Sequence, residues 1–303
     1  MTRNERTRIL RGAMTAIVTP FRADGAVDLP ALERLLDWQI ACGIHGLVPC
    51  GTTGEGATLR PEEHAVVIET TVRIAGGRVP VLAGCGTNDT RTTIAAAERA
   101  AKAGADGLLV VTPYYNKPNR SGMLAHFSAI AGAVDLPIVA YNVPGRTGQN
   151  LGVEQTLALS TIPGLAGIKE AAGNLEQLAA IVAGRPDGFA VLTGDDALAL
   201  PAVALGADGV ISVVSNEAPQ QMAEMVDAAL RGDFVTARTI HYRLRPLMNA
   251  NFVESNPVPV KAALALLGRC GAAVRAPLGP ADESTRRLVE DALRHAGLFP
   301  DAS

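Results

Sequence analysis

Lysine is scarce in this sequence: Lys102, Lys117, Lys169 and Lys261 are the only four among 27 Lys and Arg residues. Lysine is therefore not a general solubilising charge here, and each copy can be weighed singly. A basic excess is missing too. A net charge of −3 and a pI near 6.0 exclude the electrostatic footprint of a nucleic-acid binder. The apolar stretches are short and broken by Gly, Pro, Asp or Arg, well below the roughly 20 apolar residues of a spanning helix, so no membrane partner is expected. The four cysteines, Cys42, Cys50, Cys85 and Cys270, lack CxxC spacing and small-scaffold density, which argues against a disulfide or zinc framework and for free thiols. The five histidines, His45, His64, His126, His241 and His295, form no HExxH or clustered set. No metal or other cofactor is expected. Met1 to Leu10 is mostly polar or charged, without the apolar centre of a signal peptide, and a cytoplasmic location is the expectation.

What is present points to one large α/β unit. The 303 residues match an α/β barrel of about 250 residues plus decoration. Three segments share a helix end, Gly, two residues, Gly and then an apolar run: Cys42 to Gly46, Ala103 to Gly107 and Leu205 to Gly209. Each reads as a helix C-cap leading into a buried parallel strand. Their offsets of 61 and 102 residues fit two and four βα units of about 25 to 30 residues. Strands are predicted to begin near Ala13, Gly46, Val79, Gly107, Pro137, Ala166, Ala190 and Gly209, making a (β/α)8 TIM barrel. A doubly wound open sheet would give the same alternation. Residues 1–217 are assigned to the barrel, with an approximate end, and 218–303 to a helical C-terminal extension packed on it.

In such a barrel the chemistry gathers at the carboxyl ends of the strands. Gly164-Leu-Ala-Gly-Ile-Lys169-Glu170 reads as a buried strand ending in an amine. A buried ammonium is costly unless paired or neutral, and a neutral amine attacks carbonyl carbon; a strand-end lysine reaching solvent is the alternative. Lys102 and Lys117 read as surface residues and Lys261 as a helix-face residue. Gly51-Thr52-Thr53-Gly54-Glu55-Gly56 offers backbone N–H groups and two hydroxyls to a carboxylate or phosphate, or is an ordinary tight turn with a capping Thr. It is neither a G-x-G-x-x-G fingerprint nor a P-loop. Three of the four tyrosines, Tyr114, Tyr115 and Tyr141, lie at the ends of the fourth and fifth strands. Adjacent strands lie about 4.8 Å apart, so Tyr141 and Lys169 can share one cavity. Together these residues suit Schiff-base chemistry on a 2-oxo acid. A phenol such as Tyr141 paired with Thr52 would carry protons, the Thr52-Thr53 turn would dock a carboxylate, and Arg146 would hold a second carboxylate bidentately.

The segments GTTGE (Gly51 to Glu55), TPYYNKP (Thr112 to Pro118), YNVPGRTG (Tyr141 to Gly148), GIKE (Gly167 to Glu170) and ESNPVPVK (Glu254 to Lys261) resemble the dihydrodipicolinate synthase family, nearly end to end. The resemblance implies a lyase of the diaminopimelate and lysine biosynthetic pathway, a barrel with a helical extension, and a homotetramer built as a dimer of tight dimers. Its substrates would be pyruvate and aspartate semialdehyde. Lys169 would form the imine, Thr53 would bind the pyruvate carboxylate, and Gly194 and Ile211 would line the pyruvate pocket. Thr52, Tyr141 and Tyr115 would form the proton relay, Tyr115 reaching into the partner subunit's site, and Arg146 would bind the carboxylate of the semialdehyde. Sister aldolases such as N-acetylneuraminate lyase share the lysine, the tyrosine and a GTTGE-like turn, while Arg146 and ESNPVPVK point to the synthase. A catalytically silent barrel acting as a binding protein would show a defect in that set, and none is visible.

The resemblance also implies a lysine effector pocket, to which Ala57, His64, Asn88 and Tyr114 correspond. Gly56, Pro61 and Thr92 stand where Ser, His and Glu are common in lysine-inhibited relatives. Thr92 lacks the carboxylate that would pair with the effector's amine, so weak or absent lysine inhibition is expected.

Overall fold

The computed structural model describes residues 9–298; Met1 to Arg8, most of the polar start of the chain, lie outside them. Eight parallel strands follow one another along the chain: β1 (Gly12–Thr15), β2 (Gly46–Leu47), β3 (Leu82–Gly84), β4 (Gly107–Val111), β5 (Ile138–Asn142), β6 (Leu165–Glu170), β7 (Ala190–Thr193) and β8 (Gly209–Ser212). The ladder runs β2-β1-β8-β7-β6-β5-β4-β3. Its two edges meet through a parallel bridge between Leu47 and Val81 and a hydrogen bond from Gly84 N to Pro49 O of 2.9 Å. The sheet is therefore a closed barrel, and the open doubly wound alternative is set aside.

Most strands begin within a residue of the expected position, but β3 starts at Leu82 rather than near Val79. The reason is Pro80, which has no N–H to give a ladder. Pro80 O accepts from Leu47 N, and Val81 N is taken by the Asp106 carboxylate at 2.8 Å. The repeated Gly-x-x-Gly does two jobs. Gly43, Gly104 and Gly206 have φ of +83°, +87° and +100°, the left-handed turn that ends each helix. At the second glycine the barrel is tight: a Cβ on Gly46 would lie 2.2 Å from Met14 Cε.

The barrel helices are α1 (Leu29–Ala41), α2 (Pro61–Ala75), α3 (Thr90–Lys102), α4 (Arg120–Ala133), α5 (Pro144–Thr147), α6 (Val153–Leu159), α7 (Leu175–Gly184) and α8 (Ala199–Ala204). Asp28, Asp89, Asn119 and Asn174 each accept a backbone N–H three residues on, the capping that fixes where α1, α3, α4 and α7 start. After β8 come α9 (Pro219–Leu230), α10 (Phe234–Ala250), α11 (Val258–Leu266) and α12 (Glu283–His295). α9 lies on β1 and β8; α10 packs on α9 and α12, and α11 on α12. Met14, Leu82, Leu109, Val139, Leu192 and Ile211 fill the barrel interior, and a second apolar layer joins strands to helices. None of the described helices is long and apolar enough to cross a membrane.

Candidate active site

Strands β5 and β6 end side by side. Their register pairs Tyr141 with Lys169 and Asn142 with Glu170. Because side chains alternate along a strand, the first pair shares one face and the second the other. Lys169 is 5% exposed, and its Nζ lies 4.3 Å from the centroid of the Tyr141 ring. The solvent-reaching alternative for this lysine is thereby excluded. Just past the end of the neighbouring strand β7, a Cβ at Gly194 would stand 2.8 Å from Lys169 Cε, so the absence of a side chain there makes room for the lysine stem. Ile211 on β8 is fully buried in the same apolar interior as Tyr141.

Behind this pair lies a polar clamp. Asn142 Nδ2 donates to both oxygens of Glu170, at 3.1 and 3.0 Å, while Gln177 Nε2 and Ala172 N donate to the same carboxylate at 3.1 and 2.8 Å. Burial pushes the Glu170 carboxyl up, and these donors oppose the shift. Asp195, next to Gly194, is also raised by burial, with the Lys169 charge acting against it.

The glycine-rich turn after β2 is held from the far end of the chain. Glu55 sits in the left-handed region at φ +53°. Its Oε1 accepts from Lys261 Nζ at 2.5 Å and its Oε2 from Arg275 N at 2.9 Å. Lys261 is fully buried, also donates to Ala273 O at 2.8 Å, and lies 4.1 Å from the Phe21 ring centroid. This corrects the helix-face expectation for Lys261: α11 presents it inward because Glu55 waits there as its counter-ion. Thr53, 2% exposed, accepts a hydrogen bond from Asn256 Nδ2 at 2.9 Å. Arg146 on α5 is exposed and donates from Nη2 to the main-chain oxygen of the same Asn256 at 3.1 Å. Sequence reasoning singled out neither Asn256 nor the Glu55–Lys261 pair. The available signal was the lysine in ESNPVPVK, one of only four in the chain.

A cavity of about 540 Å³ is lined by Thr52, Tyr141, Arg146 and Asn256 and also by Ala57, His64, Thr92, Arg99 and Tyr114; Lys169, Thr53, Gly194 and Ile211 are not among its lining residues. His64 Nε2 lies 2.7 Å from Gly84 O, so that nitrogen carries the hydrogen; Nδ1 is buried without a partner, and burial lowers the pKa of the ring. Asn88 O accepts from Asn116 Nδ2 at 2.8 Å in the loop carrying Tyr114. Tyr115 stands apart from the other tyrosines, 88% exposed and at φ +70°. No group of three or more His, Cys, Asp or Glu among the described residues could hold a metal.

A closed (β/α)8 barrel that buries one lysine against a tyrosine at its carboxyl-end mouth falls, by fold and site chemistry, among barrel enzymes of the lyase class. The family model for the dihydrodipicolinate synthetase family matches residues 9–296, and the chain belongs to that family. A 4-hydroxy-tetrahydrodipicolinate synthase of Koribacter versatilis is 48% identical over 295 residues, 97% of this chain and 98% of that protein. Among solved structures, the chloride-inhibited dihydrodipicolinate synthase of Acinetobacter baumannii, complexed with pyruvate, superposes with a TM-score of 0.94 at 44% identity over 95% of this chain and 99% of that one. The enzyme of Cyanidioschyzon merolae with lysine bound gives 0.93 at 40% identity over 96% and 99%.

Proposed function

We propose that the chain is a Schiff-base-forming lyase that condenses pyruvate with L-aspartate 4-semialdehyde to 4-hydroxy-tetrahydrodipicolinate, in diaminopimelate and lysine biosynthesis. The carrying observation is Lys169, buried beside Tyr141 at the mouth of the barrel in a chain 48% identical to a synthase of that name. The Lys169 amine adds to the pyruvate carbonyl, and loss of water leaves an imine. Tyr141, with Thr52 and Tyr115, moves the protons of that addition and of the enamine that follows. Thr53 donates to the pyruvate carboxylate, and Gly194 and Ile211 bound the space around the reacting carbons. The enamine carbon then attacks the aldehyde while Arg146 holds the semialdehyde carboxylate, and the semialdehyde's amino group displaces Lys169 from the imine carbon as the ring closes.

Tyr115 fits this scheme as a residue lent to a second subunit. A tyrosine 88% exposed, on a backbone held at φ +70°, buries little of its ring against its own chain. The same reading includes a homotetramer built from dimers and a cytoplasmic location.

Pyruvate consumption by the purified protein, with and without aspartate semialdehyde and with N-acetylneuraminate cleavage run in parallel, tests the reading. Turnover that requires the semialdehyde supports it. Pyruvate trapped by borohydride without such turnover would move the chain to a sister aldolase. Lys169→Ala is expected to abolish trapping. Arg146→Ala is expected to leave trapping intact and lower kcat/KM for the semialdehyde about 10- to 150-fold.

A further inference from the structure

We propose that Asn256 is a positioning residue: its amide makes the Thr53 hydroxyl an obligate donor to the substrate carboxylate. The inference rests on the proposed role of Thr53. Asn256 lies between α10 and α11, is 5% exposed, and places Nδ2 2.9 Å from Thr53 Oγ1. An amide N–H can only donate, so the threonine oxygen accepts and its own hydrogen points elsewhere. Thr53 is 2% exposed, and among the described residues that hydrogen has no protein acceptor. A buried hydroxyl hydrogen with no protein acceptor is open to an acceptor supplied by a bound ligand.

Asn256 Oδ1 is buried and without a partner, which is the cost of this orientation. If the carbonyl faced Thr53 instead, the hydroxyl would be spent inside the protein. The main-chain oxygen of Asn256 meanwhile accepts from Arg146 at 3.1 Å, a contact that changing the Asn256 side chain leaves in place. The residue therefore affects the two carboxylate subsites by different atoms, and side-chain variants separate them.

The test is pyruvate half-saturation, read by borohydride trapping on Lys169 without semialdehyde, for Asn256→Asp, Thr53→Val and the double variant, each checked for folding by circular dichroism. Asn256→Asp replaces the donor with an acceptor that captures the Thr53 hydrogen and adds a negative charge. Half-saturation is expected to rise about 10-fold or more, with the semialdehyde KM within about twofold. The defect should shrink as pH falls and the introduced carboxyl regains a hydrogen to donate, a response that a merely structural role would not give. In the Thr53→Val background the part of the Asn256→Asp penalty that comes from the captured hydrogen should vanish, leaving the smaller part that comes from the added charge. If Asn256→Asp does not fold, Asn256→Ala, which removes the N–H without adding charge, should raise half-saturation roughly 2- to 10-fold. A foldable Asn256→Asp with unchanged half-saturation, or a penalty undiminished in the Thr53→Val background, overturns the inference. Thr53→Val without effect on trapping overturns instead the reading of Thr53 on which it rests.

Discussion

Lys261 and Glu55 are 206 positions apart in the chain, and their side chains meet at 2.5 Å with relative exposures of 0% and 2%. The pair fastens the turn that carries Thr52 and Thr53 to the first turn of α11. Removing one member of a buried pair leaves an uncompensated charge and costs about 3 to 5 kcal/mol.

Lys261→Met is therefore expected to lower Tm by roughly 6 °C or more, measured by calorimetry. Adding Glu55→Gln should recover much of that loss, since the neutral amide leaves no unpaired charge and can still accept from Arg275 N. A double variant no more stable than Lys261→Met would show that the pair does not act as a unit.

The Arg275 guanidinium grips Glu63 with both ends, at 2.6 and 2.7 Å, and this hydrogen bonding lowers the Glu63 pKa from the usual 4.5 to about 2. A carboxyl depressed on folding stabilises fully above its unfolded value and loses that contribution as pH falls through its folded one. The contribution should thus be present above about pH 4.5 and fade towards pH 2. Acid titration of stability by denaturant melts should show a steeper slope in the wild type than in Glu63→Gln, the difference being the Glu63 contribution.

Gly194→Ala would bring a Cβ to 2.8 Å from Lys169 Cε and 2.7 Å from Ala171 Cβ. The lysine must then move, and misplacement of a nucleophile by about 1 Å costs on the order of 100-fold in rate. The expected result is a slowing of pyruvate trapping by tenfold or more, with overpacking costing about 1 to 3 kcal/mol in stability. Unchanged trapping would mean that the stem of Lys169 is not positioned by this gap.

Thr92 lines the cavity that also holds His64 and Tyr114, and its hydroxyl is already committed to the Asp89 carboxylate at 2.6 Å. With no carboxylate at this position, inhibition by lysine is expected to be weak or absent in a steady-state assay. Thr92→Glu should tighten half-inhibition by about 10- to 150-fold, the worth of one charge-assisted hydrogen bond. Strong inhibition of the unmodified protein at micromolar lysine would refute the expectation.

What the sequence reveals depends on how local the cause is. The starts of β2, β4 and β8 were legible because a left-handed glycine and a close-packed glycine bracket each entry. The meeting of Tyr141 and Lys169 was legible because consecutive strands of a parallel barrel are neighbours. The start of β3 was missed by a few residues because a proline within an apolar run has no effect on hydrophobicity, only on hydrogen bonding. Lys261 was misread because its helix is apolar on every side, so periodicity gives no inward face, and its counter-ion lies 206 positions upstream. Asn256 gave no signal of its own: its partners Thr53 and Arg146 come together only through tertiary folding.

The dependence of the Thr52-Thr53 turn on α11 also sets a timetable for biosynthesis. At about 5 to 20 residues per second, Glu55 is added to the chain roughly 10 to 40 s before Lys261. Until then the nascent barrel carries an acid with no counter-ion and a threonine with no Asn256. A chain released early would contain every strand and still lack a finished substrate cradle, so catalytic competence is a late event of translation.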